Sequence, residues 1–242
     1  CKINKYLDRS KIIFILIYFF IFVKMITLAE ENYLKAILTI SLRENIRVNT
    51  NAIANEINTS AASVSDMLRK LQDKKLINYE KYRGVELSKK GAILATSIIR
   101  KHRLWETFLV EKLGFNWGEV HDVAEQLEHI KSPELVNRLD SFLDFPKFDP
   151  HGEPIPTKNG KITTNNTVTL NKLIAGNKGV VVGVTIDKKS FLDYLTKLNI
   201  SIGTKIVLLE KIKFDQSLSV KIENTNQHIS NDVAKNLLIK TE

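Results

Sequence analysis

Apolar residues recur along this chain first at helical spacing and then, beyond about residue 166, at the spacing of short strands. Thr27-Leu28-Ala29-Glu30 has the form of a capping box, in which a hydroxyl and a carboxylate satisfy the free N–H groups of a helix start. The periodicity behind it predicts a helix to about Arg43. Thr50 to Glu56 predicts a short helix, Ile57 to Ser60 a polar turn, and Ala61 to Lys75 a longer helix with Val64, Leu68 and Leu71 on one face. Leu76 to Glu80 and Val85 to Leu87 then read as two short strands joined through Lys81-Tyr82-Arg83-Gly84. A helix-turn-helix backed by a basic hairpin is a winged helix.

Ser88 caps a long helix that continues to Leu113, where Gly114 supplies the stop. Asn116-Trp117-Gly118-Glu119 opens another helix ending near Ile130, and Ser132-Pro133-Glu134 opens a third with proline at the first helical position. Four of the five prolines fall between Pro146 and Pro156, as a linker or an ordered crossover. Val180 to Ile186, Thr204 to Ile212 and Leu218 to Glu223 are rich in Val and Ile, with a short helix near Lys189 to Leu198 between them. They predict a small barrel of SH3-like size.

The expected fold is therefore mainly α with a small β domain. Residues 25–90 should form the winged helix-turn-helix, 91–145 a helical region, 146–166 the proline-containing connection and 167–242 the β-barrel. Residues 1–24 stand apart. Ile12 to Val23 is an unbroken apolar run preceded by Lys2, Lys5, Arg9 and Lys11, but it is shorter than the roughly 18 to 20 residues that span a bilayer. We read it as an extension outside the working fold, with no membrane partner expected.

Composition changes this picture little. The only cysteine is Cys1, which excludes an internal disulfide framework and a thiolate zinc site and fits a reducing cytoplasm. The net charge of +9 suggests an anionic partner, although residues 1–24 carry five basic residues against one acidic, leaving the rest near +5.

Two constellations carry candidate chemistry. The helix from Ala61 presents Ser60, Ser63, Ser65 and Asp66 on its leading turns, with Arg69 and Lys70 behind. Small hydroxyl side chains let a helix N-terminus enter a major groove, where its N–H groups meet phosphate. Spacing alone equally allows Ser60 to be only a cap and Ser63 and Ser65 to be solvated; Lys81, Tyr82 and Arg83 on the hairpin tip favour the DNA reading, since such a wing grips phosphate. The second constellation is His102 and Glu106, at i and i+4 on the long helix, followed by His121, Glu125, Glu128 and His129 on one face of the next. Imidazoles and carboxylates on two helices can cage a divalent ion, and without thiolates the donors suit Mn²⁺ or Fe²⁺ better than structural Zn²⁺. Solvated faces with His–Glu hydrogen bonds fit the same pattern.

No His-Glu-x-x-His run, phosphate-binding glycine loop, Gly-x-Ser-x-Gly elbow or Cys/His pair is present, so an enzyme is not expected. The expectation is a metal-dependent repressor; the alternative is a metal-independent winged-helix regulator responding to a small molecule or a partner protein.

From about Met25 onward the chain resembles the diphtheria toxin repressor and manganese transport regulator family. The resemblance lies in Glu31-Asn32-Tyr33-Leu34, Tyr79-Glu80-Lys81-Tyr82-Arg83-Gly84 and Arg100-Lys101-His102-Arg103-Leu104. His121-Asp122-x-Ala124-Glu125-x-x-Glu128-His129 and Pro150-His151-Gly152-x-Pro154-Ile155-Pro156 complete it. It implies a homodimeric repressor of metal-homeostasis genes that binds palindromic operators in double-stranded DNA when loaded with Fe²⁺ or Mn²⁺, with a C-terminal SH3-like domain similar to ferrous-transport accessory (FeoA-type) modules. One metal site then maps onto His102, Glu106 and His121, and a second onto Glu125, Glu128 and His129 with a first-helix ligand at Asn32. Asp187 matches an acidic donor from the SH3-like domain, and Ser190 a second. Iron-responsive members often carry Cys where this chain has Glu125, so the carboxylate there resembles the manganese-responsive branch. Asn32 stands where Met or Asp is usual.

Overall fold

A computed structural model describes residues 26–44, 47–80, 83–163 and 166–241. The extension up to Met25 and the wing-tip residues Lys81 and Tyr82 lie outside the described residues. The chain divides into two compact units, Cys1–Thr96 and Ser97–Glu242.

In the first unit, α1 (Leu28–Glu44) is followed by α2 (Thr50–Glu56), α3 (Ala61–Asp73) and the antiparallel strands β1 (Ile77–Glu80) and β2 (Gly84–Leu87). The capping box forms as its residues require: Glu30 N–H donates to Thr27 Oγ1 at 3.2 Å and Thr27 N–H to Glu30 Oε2 at 2.8 Å. Glu30 is otherwise buried, and Lys74 Nζ at 2.6 Å from its carboxylate pairs the charge. The core joins Leu34, Ile37 and Ile40 of α1 to Ile53 of α2, Val64, Leu68 and Leu71 of α3, and Val85 of β2. Each lies at the helical or strand spacing that turns it inward. Gly84 has φ +88°, and a Cβ there would stand 2.9 Å from the Val48 carbonyl oxygen, so the hairpin needs glycine to bring β2 onto that segment.

The long helix α4 (Lys89–Leu113) crosses from one unit into the other by sequence; Ser88 Oγ accepts from Gly91 N–H at 3.1 Å at its start, and Gly114 with φ +72° ends it. In the second unit α5 (Val120–Leu127) and α6 (Pro133–Phe142) follow, α6 capped by Ser132 with Pro133 in its first turn. The proline-rich stretch is an ordered crossover: Asp149 N–H donates to the Glu153 carbonyl at 3.0 Å and Ile155 N–H to the Lys147 carbonyl at 2.9 Å.

A six-stranded antiparallel sheet completes this unit in the order β3-β8-β4-β5-β6-β7, built from β3 (Val168–Thr169), β4 (Lys178–Val184), β5 (Lys205–Lys211), β6 (Leu218–Ile222), β7 (Thr225–Ile229) and β8 (Leu237–Thr241). The helices α7 (Lys189–Lys197) and α8 (Asn231–Ala234) interrupt the strands. One face of the sheet is apolar, with Val181, Ile206, Leu208, Val220, Ile222 and Ile239 packed beneath Leu192 and Leu195 of α7. Trp117, from the turn before α5, packs against the same core, so helical segment and barrel share apolar surface. Among the described residues no helix is long and apolar enough to cross a membrane.

Candidate metal centre and nucleic-acid interface

On α4, the 3.6-residue period puts His102 and Glu106 on one face, and both are buried. Two ionisable side chains in such a place need partners. His102 Nε2 is 3.0 Å from Glu106 Oε1, and its Nδ1 is 2.6 Å from Glu128 Oε2 at the end of α5. His121 in the first turn of α5 stands against the same carboxylate, with Nδ1 3.6 Å from Glu106 Oε1, while its Nε2 is 3.6 Å from Glu125 Oε1. Asp187, from the loop before α7, approaches His121 Nδ1 at 3.8 Å. His129 Nε2 is 3.9 Å from Glu128 Oε1.

The expected ligands of the second unit thus gather as one continuous cluster, in which His102 bridges the two sets that the resemblance separates. Potential donor atoms of His102, Glu106 and His121 lie within 4.8 Å of one another, and so do those of His102, Glu125 and Glu128. Donors each about 2.0 to 2.4 Å from a shared divalent ion lie within that spread. Asn32 belongs to α1 in the first unit, its side-chain oxygen buried and without a hydrogen-bond partner. Ser190 is exposed in the first turn of α7.

A third donor group is one that residue spacing does not reveal: Glu106, Asp149 and His151, all buried, again with donor atoms within 4.8 Å. His151 Nδ1 is 3.6 Å from Glu106 Oε2, and its Nε2 is 2.8 Å from the Trp117 carbonyl. The only signal is Pro150-His151-Gly152, and an isolated histidine in a proline-rich stretch carries no helical spacing to betray it. Arg103 closes this end, with Nε 3.6 Å from Asp149 Oδ2, an ion pair to Glu153 and a hydrogen bond of 2.6 Å to the Pro154 carbonyl.

The electrostatics are those of a cage holding too many charges for its volume. Burial alone would raise Glu106, but His102, His121 and His151 around it hold its carboxyl well below the usual range. The Glu106 carboxylate raises His121 against the opposing effects of burial and His102. Burial lowers His151, yet the Glu106 carboxylate 3.6 Å away, with Asp149 beside it, lifts it to about 10. Asp149 is pushed up to about 7 by burial and by the Glu106 and Glu153 carboxylates, with Arg103 opposing. Nδ1 of His121 and Oδ2 of Asp149 are buried and make no hydrogen bond. Donors of nitrogen and oxygen type, from buried Glu106 and His151 through half-buried His121 to exposed Asp187 and approaching one another at 3.6 to 3.8 Å, fit a hard or borderline divalent cation.

In the first unit, Ser60 caps α3, its Oγ accepting from Ser63 N–H at 3.1 Å and lying 2.9 Å from Ser63 Oγ. Ser65 Oγ donates to the Ala61 carbonyl at 2.9 Å, and Arg69 pairs with Asp66 at 2.9 Å. Ser60, Ser63, Asp66, Arg69 and Lys70 are exposed and Ser65 half-buried, along the solvent side of α3. Arg83 is exposed beside Glu80, at 3.2 Å. Arg47, which no sequence pattern singles out, makes a two-pronged contact with Glu86 of β2 at 2.8 and 3.1 Å and braces the wing.

Family models match the chain along most of its length: "Iron dependent repressor, N-terminal DNA binding domain" over residues 25–85, "Iron dependent repressor, metal binding and dimerisation domain" over 88–157, and "FeoA domain" over 168–241. The iron-dependent repressor IdeR of Mycobacterium tuberculosis is 35% identical over 126 residues, 52% of this chain and 54% of that protein. The diphtheria toxin repressor of Corynebacterium jeikeium is 35% identical over 126 residues, 52% of each chain. The chain thus spans about half the length of the curated relatives it matches. A solved manganese-dependent transcriptional repressor in complex with manganese is 33% identical, with a TM-score of 0.80, over 88% of this chain and 100% of that one.

Proposed function

The chain belongs to the iron-dependent repressor family, whose members are DNA-binding repressors and not enzymes, and from that premise we propose that it represses transcription as a homodimer activated by a divalent metal ion. The observation that carries this reading is the continuous cluster of buried and half-buried imidazoles and carboxylates on α4 and α5. His102, Glu106, His121, Glu125, Glu128 and His129 would hold the metal, with Asp187 joining from the barrel and Asn32 from α1 on the strength of the resemblance. Asp149 and His151 extend the donor set on the far side of Glu106. A bound cation supplies positive charge to a pocket whose carboxylates otherwise rely on protonated imidazoles for it.

The metal we propose is Mn²⁺, with Fe²⁺ as the alternative. Glu125 in place of a thiolate supports manganese, since hard carboxylate donors suit it better. Ser60, Ser63, Ser65, Asp66, Arg69 and Lys70 on α3 would read a palindromic operator, with Lys81, Tyr82 and Arg83 of the wing on phosphate. Metal binding shifts the population toward the DNA-competent dimer, so the work is done in the cytoplasm, where the DNA is. Glu128→Ala together with His129→Ala tests the mechanism. Operator binding should lose its metal dependence while metal-free, non-specific DNA binding is unchanged; metal-dependent operator binding equal to wild type would overturn it.

A further inference from the structure

The outer face of the barrel sheet carries a pattern that metal sensing does not use. Val180 of β4 pairs with Lys240 of β8 on one side and with Lys205 of β5 on the other. Two residues earlier, Lys178 of β4 pairs with Val207 of β5, which pairs in turn with Lys221 of β6. Directly paired residues share a face, as do residues two apart along a strand. Lys240, Lys178, Lys205 and Lys221 therefore all project from the face opposite the core, one from each of four consecutive strands, and all are exposed.

Successive lysines in this zigzag are diagonal neighbours about 7 to 8 Å apart, and the row crosses three strand spacings, about 14 Å. Glu210, paired with Ser219 beyond the bulge in β5, lies toward one end of the same face. Lysines often guard sheet edges, but β8, β4, β5 and β6 are all interior to the sheet order, so edge protection does not account for them. The four side chains set positive charge along about 14 Å of one sheet face, where an anionic partner with matching spacing can meet it. One strand of duplex DNA carries a phosphate every 3.4 Å of axis, or about four over 14 Å.

We propose that this lysine row is a second, sequence-independent DNA contact, taking the phosphate backbone of a duplex. DNA is favoured over other polyanions because a reading head on the same chain would hold duplex at high effective concentration, a step that rests on the proposed function. The contact adds affinity and salt dependence without adding sequence preference.

The test uses the full chain and a random-sequence duplex of about 40 base pairs, across about 50 to 200 mM salt. In the variant Lys178→Gln, Lys205→Gln, Lys221→Gln, Lys240→Gln, the slope of log affinity against log salt should fall by about 0.9 for each phosphate no longer neutralised, about 3 to 4 in all. The double variant Lys205→Gln, Lys221→Gln should show about half of that fall, and the four Lys→Arg changes should keep the wild-type slope. A thermal melt like wild type shows that the fold is intact, and the double variant serves if the quadruple one melts early. An unchanged slope in both glutamine variants overturns the proposal. So does an unchanged slope accompanied by lysine-dependent binding to phosphatidylserine vesicles, which would make the face a lipid contact. Failure of the repressor reading shows separately, as operator binding that ignores Mn²⁺, because the slope is read on non-specific duplex.

Discussion

Gly152→Ala perturbs the proposed metal centre through packing alone. Gly152 has φ +83°, and a Cβ built on it would lie 1.9 Å from the Val182 carbonyl oxygen, 2.4 Å from Gly183 Cα and 2.7 Å from the Val182 carbonyl carbon. All three atoms are backbone of β4, so no rotamer change relieves the clash and the loop must withdraw. Withdrawal breaks the bond from Val184 N–H to the His151 carbonyl, 3.0 Å, which seats this loop on the sheet. The left-handed conformation costs an alanine about 1 to 2 kcal/mol, overpacking about 1 to 3 kcal/mol and the broken hydrogen bond about 1 kcal/mol, together about 3 to 6 kcal/mol. At about 2 to 4 °C per kcal/mol for a unit of this size, the melting midpoint should fall by on the order of 10 °C. Gly114→Ala is the control: φ is +72° there but nothing lies within 4 Å of the added carbon, so only the conformational cost, about 1 to 2 kcal/mol, applies. Both proteins are melted in chelator, by circular dichroism. Because Asp149 and His151 lie just before Gly152 in the same loop, Mn²⁺ affinity should also weaken in the first variant and not in the second. Midpoints within about 2 °C of each other would refute the reasoning, since the clash would then contribute nothing.

Metal activation should be weaker at about pH 5.5 than at about pH 7.5. Glu106 raises His121 in the metal-free fold, so the protonated imidazole contributes stability below its ordinary value that is lost as pH rises through the raised one; coordination needs the neutral ring, and equal Mn²⁺ titrations of operator binding at the two pH values would count against these ligands. Asn32→Asp adds a carboxylate at the first-helix ligand position and should tighten Mn²⁺ binding about tenfold in a metal-buffered titration; no change would remove Asn32 from the set. Arg69→Ala should weaken operator binding by about 1 to 3 kcal/mol and relax sequence preference while leaving metal affinity untouched, and a loss of metal affinity instead would displace Arg69 from the reading face.

How much of this is legible in the chain depends on how local each signal is. The capping box at Thr27, the Ser60 and Ser132 caps and the glycine stop at Gly114 are contacts within three or four residues, and the helices begin and end close to where they place them. β7, Thr-Asn-Gln-His-Ile, has no legible signal because an edge strand with mostly exposed polar residues lacks apolar alternation; β8 is five residues long and follows Ser230-Asn231-Asp232, which opens the short helix α8. The same distinction divides the site. His102 with Glu106 and His121 with Glu125 are helical neighbours that periodicity reveals, whereas Asp149 and His151 reach the cluster only through a crossover whose path no residue spacing encodes. The grouping of the ligands likewise depends on tertiary placement: the 2.6 Å contact of His102 with Glu128 joins helices 26 positions apart.

The central claim is that metal occupancy governs DNA binding, and operator binding by the full chain in chelator, Mn²⁺, anaerobic Fe²⁺ and Zn²⁺ tests it most directly. Binding in chelator should be weak and non-specific, and operator binding with Mn²⁺ or Fe²⁺ at least about tenfold tighter, worth about 1.4 kcal/mol. Operator affinity that is equally tight in chelator and in every metal would contradict it.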